Sequence, residues 1–227
     1  MLVAYEYRGH MEIGIIGGTG AFGSGMAARL ASWGHRVRVG SRDVLKSSAT
    51  VTKLHDQWDL PDGVLVPCGN EVAAKAGVVM VALPWSSLKD TIAPLGPVLV
   101  GKTVLSPVNR ISPSRQGPLP VRSGDAAAWE LQQMLTGSQV ATAFNHLPAR
   151  AVSNPKTELD SDILVCSDFV DAFKVVEEMT RSAASVRPVY VGPLVHARAV
   201  EDFTSAIVSA NIQNKRQSGL RFTDHVK

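Results

Sequence analysis

The stretch MEIGIIGGTGAFGSGMAARL, residues 11 to 30, joins an apolar run, a glycine cluster and an alanine-rich helical pattern. That order predicts a strand, a tight turn and a helix. The turn has the spacing G-x-G-x-x-G, whose glycines let the backbone approach a pyrophosphate and let the helix pack on the strand. The helix N-terminus adds free N–H groups. We therefore predict dinucleotide binding by Gly18, Thr19, Gly20, Ala21, Phe22 and Gly23.

The end of the second predicted strand indicates which dinucleotide is bound. An Asp or Glu here would hydrogen-bond a ribose 2′-hydroxyl and repel a 2′-phosphate. The sequence instead has Ser41 and Arg42, with Lys46 one helical turn further on. A guanidinium fork, a hydroxyl and an ammonium suit a phosphate, so we predict NADP rather than NAD. The alternative is a solvated basic turn in which Asp43 neutralises Arg42.

Composition limits the remaining classes. A chain of 227 residues with 45% hydrophobic and 19% charged residues predicts one large domain, alone or with a small appendage. The net charge of +3 is small and scattered and aromatic residues make up 6%, so we expect no nucleic-acid partner. No apolar run has the length of a membrane span, so we expect no membrane association.

Three further features predict a cytoplasmic location without a bound metal. Residues 1–10 lack the long apolar stretch of a signal peptide and form either a short arm or a start-site extension ahead of Met11. Cys68 and Cys166 lie far apart, without the spacing of zinc ligands or of a disulfide framework. We therefore expect reduced thiols in the cytoplasm. No cluster of carboxylates suggests another metal.

Apolar β-branched runs alternate with helical patterns along the chain. This predicts an α/β fold of the Rossmann type, a doubly wound and mainly parallel sheet with a small C-terminal helical portion. The expected organisation is an extension at 1–10, an NADP-binding domain at 11–150 and a smaller portion at 151–227 that completes the substrate cleft. Residues 111–124 are rich in Pro, Ser, Gly and Arg, which predicts a long surface loop. After the second strand, strands are predicted at 63–66, 77–83, 102–105, 139–144, 163–166 and 189–191.

Two strand ends are predicted to line the cofactor cleft, because ligands of such sheets bind at the carboxyl ends of the strands. A simpler interpretation makes the tryptophan and the prolines strand terminators. The residues assigned to the cofactor here are Leu83, Pro84 and Trp85 after one strand, and Ser106, Pro107 and Val108, followed by Asn109, after the next.

The sequence offers few candidate catalytic groups. It contains neither a GxSxG elbow nor an HExxH motif. Among the histidines, His146 follows a predicted strand and is either a site residue or a buried structural residue, whereas His196 is a helix-start residue. A nicotinamide site without an evident acid/base pair suits direct hydride transfer between two planar cofactors. We therefore assign no catalytic residue.

From residue 11 to about residue 222 the chain resembles the F420-dependent NADP oxidoreductases. The similarity rests on IIGGTGAFG, VGSRDVLK, ALPW, LSPVN, AFNHLP, VGPLVHARAVEDFT and NIQNKRQSGLRFT. It implies hydride transfer between NADP(H) and the 5-deazaflavin coenzyme F420 in a homodimer. It also implies that Thr19 to Phe22, Ser41, Arg42 and Lys46 hold NADP. The segments implied to frame the two rings contain Pro84, His146, Pro148, Ser218 and Gly219.

Two other functions remain open. One is an NADP-dependent reductase of a small imine or carbonyl, which resembles the 3-hydroxyacid dehydrogenases. Such enzymes need a catalytic lysine and a large helical second domain, for which the 77 residues after Arg150 are few. The other is a non-enzymatic NADP sensor, which would need no open cleft opposite the nicotinamide.

Overall fold

One large sheet organises the part of the chain that the computed structural model describes, residues 10–115 and 117–223. The predicted extension at 1–10 lies outside those residues except for His10. The described strands are β1 Glu12–Ile16, β2 Arg36–Ser41, β3 Leu65–Gly69, β4 Val78–Val81, β5 Thr103–Ser106, β6 Ile111–Ser112, β7 Leu119–Pro120, β8 Gln139–Thr142, β9 Ser161–Ser167 and β10 Val186–Gly192.

The strand order confirms the predicted fold class. Among the described strands, eight form one sheet in the order β10-β9-β8-β5-β4-β1-β2-β3. From β3 to β8 every neighbouring pair is parallel, which is the doubly wound arrangement. The β8–β9 pair is antiparallel and β10 lies parallel to β9, so the sheet is mainly parallel, with two reversed strands at one edge.

Helices cover both faces of this sheet. They are α1 Ala21–Ser32, α2 Val44–Trp58, α3 Asn70–Ala73, α4 Leu88–Ile92, α5 Gly96–Leu99, α6 Ala127–Met134, α7 Ala149–Val152, α8 Val170–Thr180 and α9 Ala197–Asn214. One core joins Ile13 and Ile15 of β1 to apolar residues of α1, α2 and α8. The other joins Ile16 to residues of α4, α6 and α9. Successive strand residues thus point into opposite cores, as burial on both faces requires.

The structure differs from the sequence prediction after β5. Residues 111–124 are predicted to be a long surface loop, but β6 pairs with β7 in a short antiparallel ribbon. The four residues in these two strands are too few for a periodic apolar pattern to show. The ribbon lies against α9.

The C-terminal part of the chain is integrated with the rest of the fold. The predicted domain boundary at residue 150 falls within α7, and β9 and β10 beyond it belong to the same sheet as β1 to β5. The strands predicted at 163–166 and 189–191 are confirmed, and each is longer in the structure, with seven residues in β9 and seven in β10. The division of the chain at 150 stays a prediction.

The glycine turn fixes α1 against β1. Gly17 has a φ of 77°, in the left-handed region that favours glycine. A Cβ on Gly23 would lie 2.5 Å from the Gly17 carbonyl oxygen, so α1 approaches the turn more closely than another residue would permit. The Asn70 side-chain oxygen accepts the Gly17 N–H at 3.2 Å. The N-terminus of α1 is thereby held at the carboxyl edge of the sheet.

Candidate active site

A cleft of about 840 Å³ opens at the carboxyl ends of the parallel strands. Segments that follow β1, β4, β5 and β8 form its walls, and the C-terminal half of α9 closes one side. This is the position at which doubly wound sheets bind ligands. The lining of the cleft includes Gly20, Ala21, Phe22, Leu83, Pro84, Trp85, Pro107, Val108, Asn109, Asn145, Pro148, Arg150, Lys215 and Arg216.

The glycine turn forms one end of the cleft, and its geometry suits a pyrophosphate. A Cβ on Gly20 would meet nothing nearer than 3.5 Å beyond its chain neighbours, so space is open where a phosphate would approach. No side chain caps α1, which leaves its first N–H groups available to an anion. Gly18 and Gly23 are buried behind this surface, and Thr19 is half-buried beside it.

The predicted 2′-phosphate residues lie together at the end of β2, outside the cleft lining and beside the glycine turn. The Gly18 N–H bonds to the carbonyl group just before Ser41 at 2.7 Å, which joins the two segments. The Ser41 hydroxyl oxygen accepts the Asp43 N–H at 3.2 Å, so its own proton can be donated. Arg42 and Lys46 are exposed.

Asp43 does not neutralise this basic pair. Its carboxylate caps α2 by accepting the N–H groups of Leu45 and Lys46 at 2.9 and 3.3 Å. Within residues 10–115 and 117–223, neither Arg42 nor Lys46 forms an ion pair. Arg42 and Lys46 are therefore available to an anionic ligand, and Ser41 beside them is 6% exposed. Contact of these three residues with a ribose phosphate stays a prediction.

The cleft wall after β4 and β5 is supported by a charged cluster behind it. The guanidinium carbon of Arg110 lies 4.2 Å from the ring centroid of Trp85. The same guanidinium pairs with Glu130 at 2.5 Å, and the Trp85 indole N–H donates to Glu130 at 2.9 Å. Arg110 is 4% exposed. Ser106 is also buried behind the lining, and its hydroxyl has no hydrogen-bond partner among the described residues.

Glu201 of α9 lies fully buried behind the same wall. Its carboxylate accepts main-chain N–H groups from Arg110 at 3.2 Å, Ala127 at 3.1 Å and Ala128 at 3.3 Å. Burial raises the pKa of Glu201 to about 7, because desolvation disfavours the charge more than the three N–H donors favour it.

Two asparagines join the segments after β5 and β8. Asn109 donates its side-chain N–H to the carbonyl of Asn145 at 2.9 Å, and Asn145 donates to the carbonyl of Val108 at the same distance. Phe144, just before, has a φ of 65°, which is strained for a bulky residue. The two asparagine hydrogen bonds hold the backbone at Phe144 in a conformation that a phenylalanine rarely adopts by itself.

His146 lies beneath the cleft rather than on its lining, although its neighbours on both sides line it. It is 1% exposed, and its Nε2 lies 2.7 Å from the Asp162 carbonyl oxygen. Burial lowers the pKa of His146, so its ring is neutral at pH 7.

The remaining predicted substrate residues lie where α7 and the C-terminal tail meet. Pro148 lines the cleft. Ser218 is exposed and donates its backbone N–H to the Asn211 side chain at 2.8 Å. Gly219 borders a neighbouring cavity of about 520 Å³, and a Cβ there would lie 2.8 Å from the Asp160 carbonyl oxygen.

An ion cluster around one buried carboxylate anchors that tail. Asp162 is fully buried and pairs with Arg187 at 2.8 Å and Arg221 at 3.0 Å. Hydrogen bonds from Arg187 contribute most to holding the pKa of Asp162 down at about 2. Since Arg221 belongs to the tail and Arg187 to β10, the cluster fixes the tail to the sheet edge.

The described residues contain no group of three or more His, Cys, Asp or Glu that could hold a metal ion. Cys68 and Cys166 are free and buried, and desolvation raises the pKa of both thiols. Within the same residues no helix has the length and apolar character needed to cross a bilayer.

Sequence reasoning missed several residues that shape the cleft. Their roles depend on partners distant in sequence: Arg110 and Glu201 are 91 positions apart. The stretch HARAVEDFT contains Glu201, but no local pattern distinguishes this residue from Asp202 beside it. The missed residues are Asn70, Arg110, Glu130 and Glu201.

Comparison with known proteins identifies relatives over nearly the whole chain. The family model described as NADP oxidoreductase, coenzyme F420-dependent, matches residues 12–110. The F420-dependent NADP reductase of Methanothermobacter thermautotrophicus is 33% identical over 94% of this chain and 95% of its own length. The chain belongs to the F420-dependent NADP reductase family. The reductase of Methanocaldococcus jannaschii is 31% identical over 94% of this chain and 99% of its own length.

A solved structure has the same fold as this chain, and the match covers the whole of the solved chain. A proposed F420-dependent NADP reductase from Arthrobacter sp. FB24 superimposes with a TM-score of 0.79. It is 21% identical and covers 94% of this chain and 100% of its own.

Proposed function

We propose that the protein transfers a hydride between NADP(H) and coenzyme F420 within the cleft. Relatives that match along their whole length carry that activity in their names. The structural observation that supports the proposal is the kind of side chains that line the cleft. Among the described residues, no Asp, Glu, His or Cys side chain lines the cleft, and its ionisable groups are Arg150, Lys215 and Arg216.

The NADP site that we propose runs from the end of β2 to the Trp85 wall. Ser41, Arg42 and Lys46 would grip the 2′-phosphate, and the N–H groups at the start of α1 would bind the pyrophosphate. The open space at Gly20 fits that placement. The nicotinamide would then lie against the segments after β4 and β5, with the second ring opposite it.

When bound, NADPH supplies the hydride. The chain's own residues hold the rings face to face and exclude water, which for a transfer between two planar rings provides most of the catalysis. The apolar lining from Leu83, Pro84 and Val108 suits this role. A proton relay is not required, and none lines the cleft within the part of the chain that the structure describes.

His146 then supports the second substrate from below instead of exchanging a proton with it. Its ring is buried and bonded to the Asp162 backbone, while the neighbouring Asn145 and Pro148 face the cleft. We expect His146→Ala to weaken F420 binding and lower turnover modestly. A complete loss of hydride transfer with both coenzymes still bound would indicate an acid/base role and favour reduction of a carbonyl.

The decisive experiment mixes the protein with NADPH and F420 and follows the deazaflavin absorbance. We expect bleaching with NADPH and little with NADH. Gly20→Val should abolish it, because the added side chain fills the open phosphate space. Gly77→Val is the matched control, since a Cβ there meets no described atom within 4 Å and at Gly20 none nearer than 3.5 Å, but Gly77 precedes β4 at the opposite edge of the sheet. NADPH oxidation with imines or carbonyls but not with F420 would refute the proposal.

The homodimer that the family resemblance implies would use the edge of the sheet. Tyr190 and Val191 of β10 are 41% and 37% exposed, and Val195, in the helical turn that follows β10, is 68% exposed. Exposed apolar groups of this kind mark interfaces. Sedimentation at working concentration should give twice the chain mass of 24.2 kDa, and a monomer would contradict the expectation.

We also propose a cytoplasmic location. Both cysteines are free in the structure, which suits a compartment that keeps thiols reduced. Cell fractionation tests this proposal, and enrichment in the membrane or secreted fraction would contradict it.

A further inference from the structure

The first turn of α6 is capped by a residue of another helix. Its N-cap position is Ala126, whose side chain offers no acceptor. Glu201 of α9 replaces the missing cap, because its carboxylate accepts the first two helical N–H groups, those of Ala127 and Ala128. The start of α6 therefore depends on one buried side chain from the C-terminal part of the chain.

The same carboxylate also holds the backbone of the cleft wall. Its third donor is the N–H of Arg110, the residue after the cleft-lining segment Pro107–Asn109. The Arg110 side chain in turn stacks on Trp85, which lines the cleft, and pairs with Glu130 of α6. Glu201 thus joins three elements behind the wall where the nicotinamide is proposed to lie.

We propose that Glu201 is a positioning residue for hydride transfer. Its carboxylate fixes the segment Pro107–Asn109 and, through Arg110, the indole of Trp85, so that the wall presents one geometry to the nicotinamide ring. The inference rests on the proposed function. Glu201 itself does not line the cleft, and it acts only through the groups it holds.

The chemistry of the site explains why a carboxylate stands here. Three N–H groups point at Glu201, and an ionised carboxylate has acceptor sites for all of them. A glutamine would turn its NH₂ group toward one of these donors. Charged or ionisable groups that face Glu201 are Arg198 on α9, Arg110 after β5, Glu130 on α6 through Arg110, and Cys166 on β9.

Burying this carboxylate costs free energy, and an uncharged side chain could fill the same space without that cost. Desolvation outweighs the favourable effect of its donors and of Arg198, and it leaves the pKa of Glu201 raised to about 7. An uncharged residue would avoid this cost. A costly buried group next to a cleft is typical of residues retained for function rather than for stability.

The test compares Glu201→Gln with Ser138→Ala. Ser138 is likewise buried, and its hydroxyl donates to the Leu99 carbonyl at 2.8 Å, but it precedes β8 at the edge of the sheet away from the cleft. We expect Glu201→Gln to lower kcat for hydride transfer about ten- to hundred-fold, the usual effect of a misplacement of about 1 Å, with KM for NADPH nearly unchanged. Ser138→Ala should lower thermal stability and leave kcat unchanged.

The pH dependence provides a readout that a merely structural role would not affect. Protonation of Glu201 removes an acceptor, so kcat of the unaltered enzyme should fall as the pH drops through about 7. Glutamine does not titrate, so the kcat of Glu201→Gln should not share this fall. The ratio of its kcat to that of the unaltered enzyme should therefore rise toward one as the pH is lowered from 8.5 to 6. Titration of the coenzymes affects both enzymes equally and cancels in this ratio. A ratio that stays near one at every pH overturns the inference.

Two further measurements keep the result decisive. If Glu201→Gln fails to fold, Glu201→Asp keeps the charge but withdraws it by one methylene group. A folded Asp variant with the kcat of the unaltered enzyme overturns the inference, and a reduced kcat with unchanged KM supports it. If the unaltered protein itself does not reduce F420, the proposed function fails. Tryptophan fluorescence during NADPH titration then decides the inference, with Trp85→Phe used to isolate the Trp85 contribution from that of the other three tryptophans. A Trp85 response identical in Glu201→Gln overturns the inference and a diminished one supports it.

Discussion

The end of β2 and the cleft wall formed by the segments after β4 and β5 use charge in opposite ways. At the end of β2, Arg42 and Lys46 are exposed and form no ion pair within the described part of the chain. Behind the cleft wall, Arg110 and Glu201 are buried and every interaction they make is internal. Charges of the first kind are available to a ligand, and we predict that they bind the 2′-phosphate, whereas those of the second kind hold the protein's own backbone.

This difference predicts different consequences of mutation. An exposed unpaired cation adds little to folding, so its loss should change only ligand binding. A buried charge that is bonded on several sides leaves its partners unsatisfied when it is removed. Mutations at the wall should therefore change stability and turnover, and mutations at the end of β2 should change KM.

The largest expected effect is that of Arg110→Met at the wall. Methionine fills much of the volume but removes the Arg110 donor from the Asp125 carbonyl and from Glu130, which keeps only the Trp85 indole N–H among the described side-chain donors. We expect a loss of roughly 3 to 5 kcal/mol in the free energy of unfolding, measured by urea denaturation. Arg42→Met is the control and should change stability by less than about 0.5 kcal/mol. Equal losses of unfolding free energy in Arg110→Met and Arg42→Met would contradict the proposed difference between the cleft wall and the end of β2.

The next effect concerns the pH dependence of stability. The pKa of Glu201 is raised in the folded protein from 4.5 to about 7, so its contribution is fully present below pH 4.5 and is lost as the pH rises to about 7. This amounts to about 3 kcal/mol, which Glu201→Gln should not show. Asp162 has a pKa lowered from 3.8 to about 2, so its contribution to stability is lost as the pH falls below 4. That pH range does not overlap with the range in which Glu201 titrates. Parallel stability curves for the two proteins between pH 4.5 and 8 would contradict this.

At the end of β2 the expected effect is on coenzyme affinity. A hydrogen bond to a charged group contributes about 1.5 to 3 kcal/mol, so Arg42→Ala should raise KM for NADPH roughly ten- to hundred-fold. The contact is equal in ground and transition states, so kcat should stay nearly intact, and NADH should be unaffected. Arg36→Ala, at the other end of β2 and paired with Glu12, is the control. Use of NADH as readily as NADPH by the unaltered protein would show that the 2′-phosphate assignment is wrong.

The smallest effect is that of salt. Screening weakens contacts between exposed charges and a ligand but hardly affects buried pairs. Raising the ionic strength from 0.05 to 0.5 M should therefore weaken NADPH binding by about 1 kcal/mol or less, with no change in kcat. Isothermal titration measures the first quantity and single-turnover absorbance the second. A salt-dependent kcat would place screened charges at the wall as well.

The regions that sequence patterns predicted are those in which local chemistry decides the structure. The glycine turn follows β1 because the open backbone at Gly20 and the close approach at Gly23 exclude other residues, and this constraint is visible in the spacing itself. The parallel strands β1, β4 and β5 also follow from continuous apolar runs. The short ribbon β6–β7 did not, since two-residue strands carry no periodic signal.

The candidate site also contains residues that local sequence indicated and residues whose position it did not indicate. The residues at the end of β2 were predicted because a missing acid next to a glycine turn has a direct chemical meaning. The burial of His146 and Ser106 beneath the lining was not predicted, because a residue at a strand end can face the cleft or the core with the same local sequence. Direct contact of these two residues with a coenzyme stays a prediction.

The sequence by itself determined the dinucleotide fold and, through its family resemblance, the pair of coenzymes, while the role of the β2 end in binding the 2′-phosphate stays a prediction. Only the tertiary structure decided that Glu201 caps α6 and holds Arg110, and that Arg187 and Arg221 neutralise Asp162. The physical reason is the range of the interactions involved. Turn geometry and strand burial act between near neighbours in the chain, whereas a buried carboxylate finds its donors only after distant segments have packed around it.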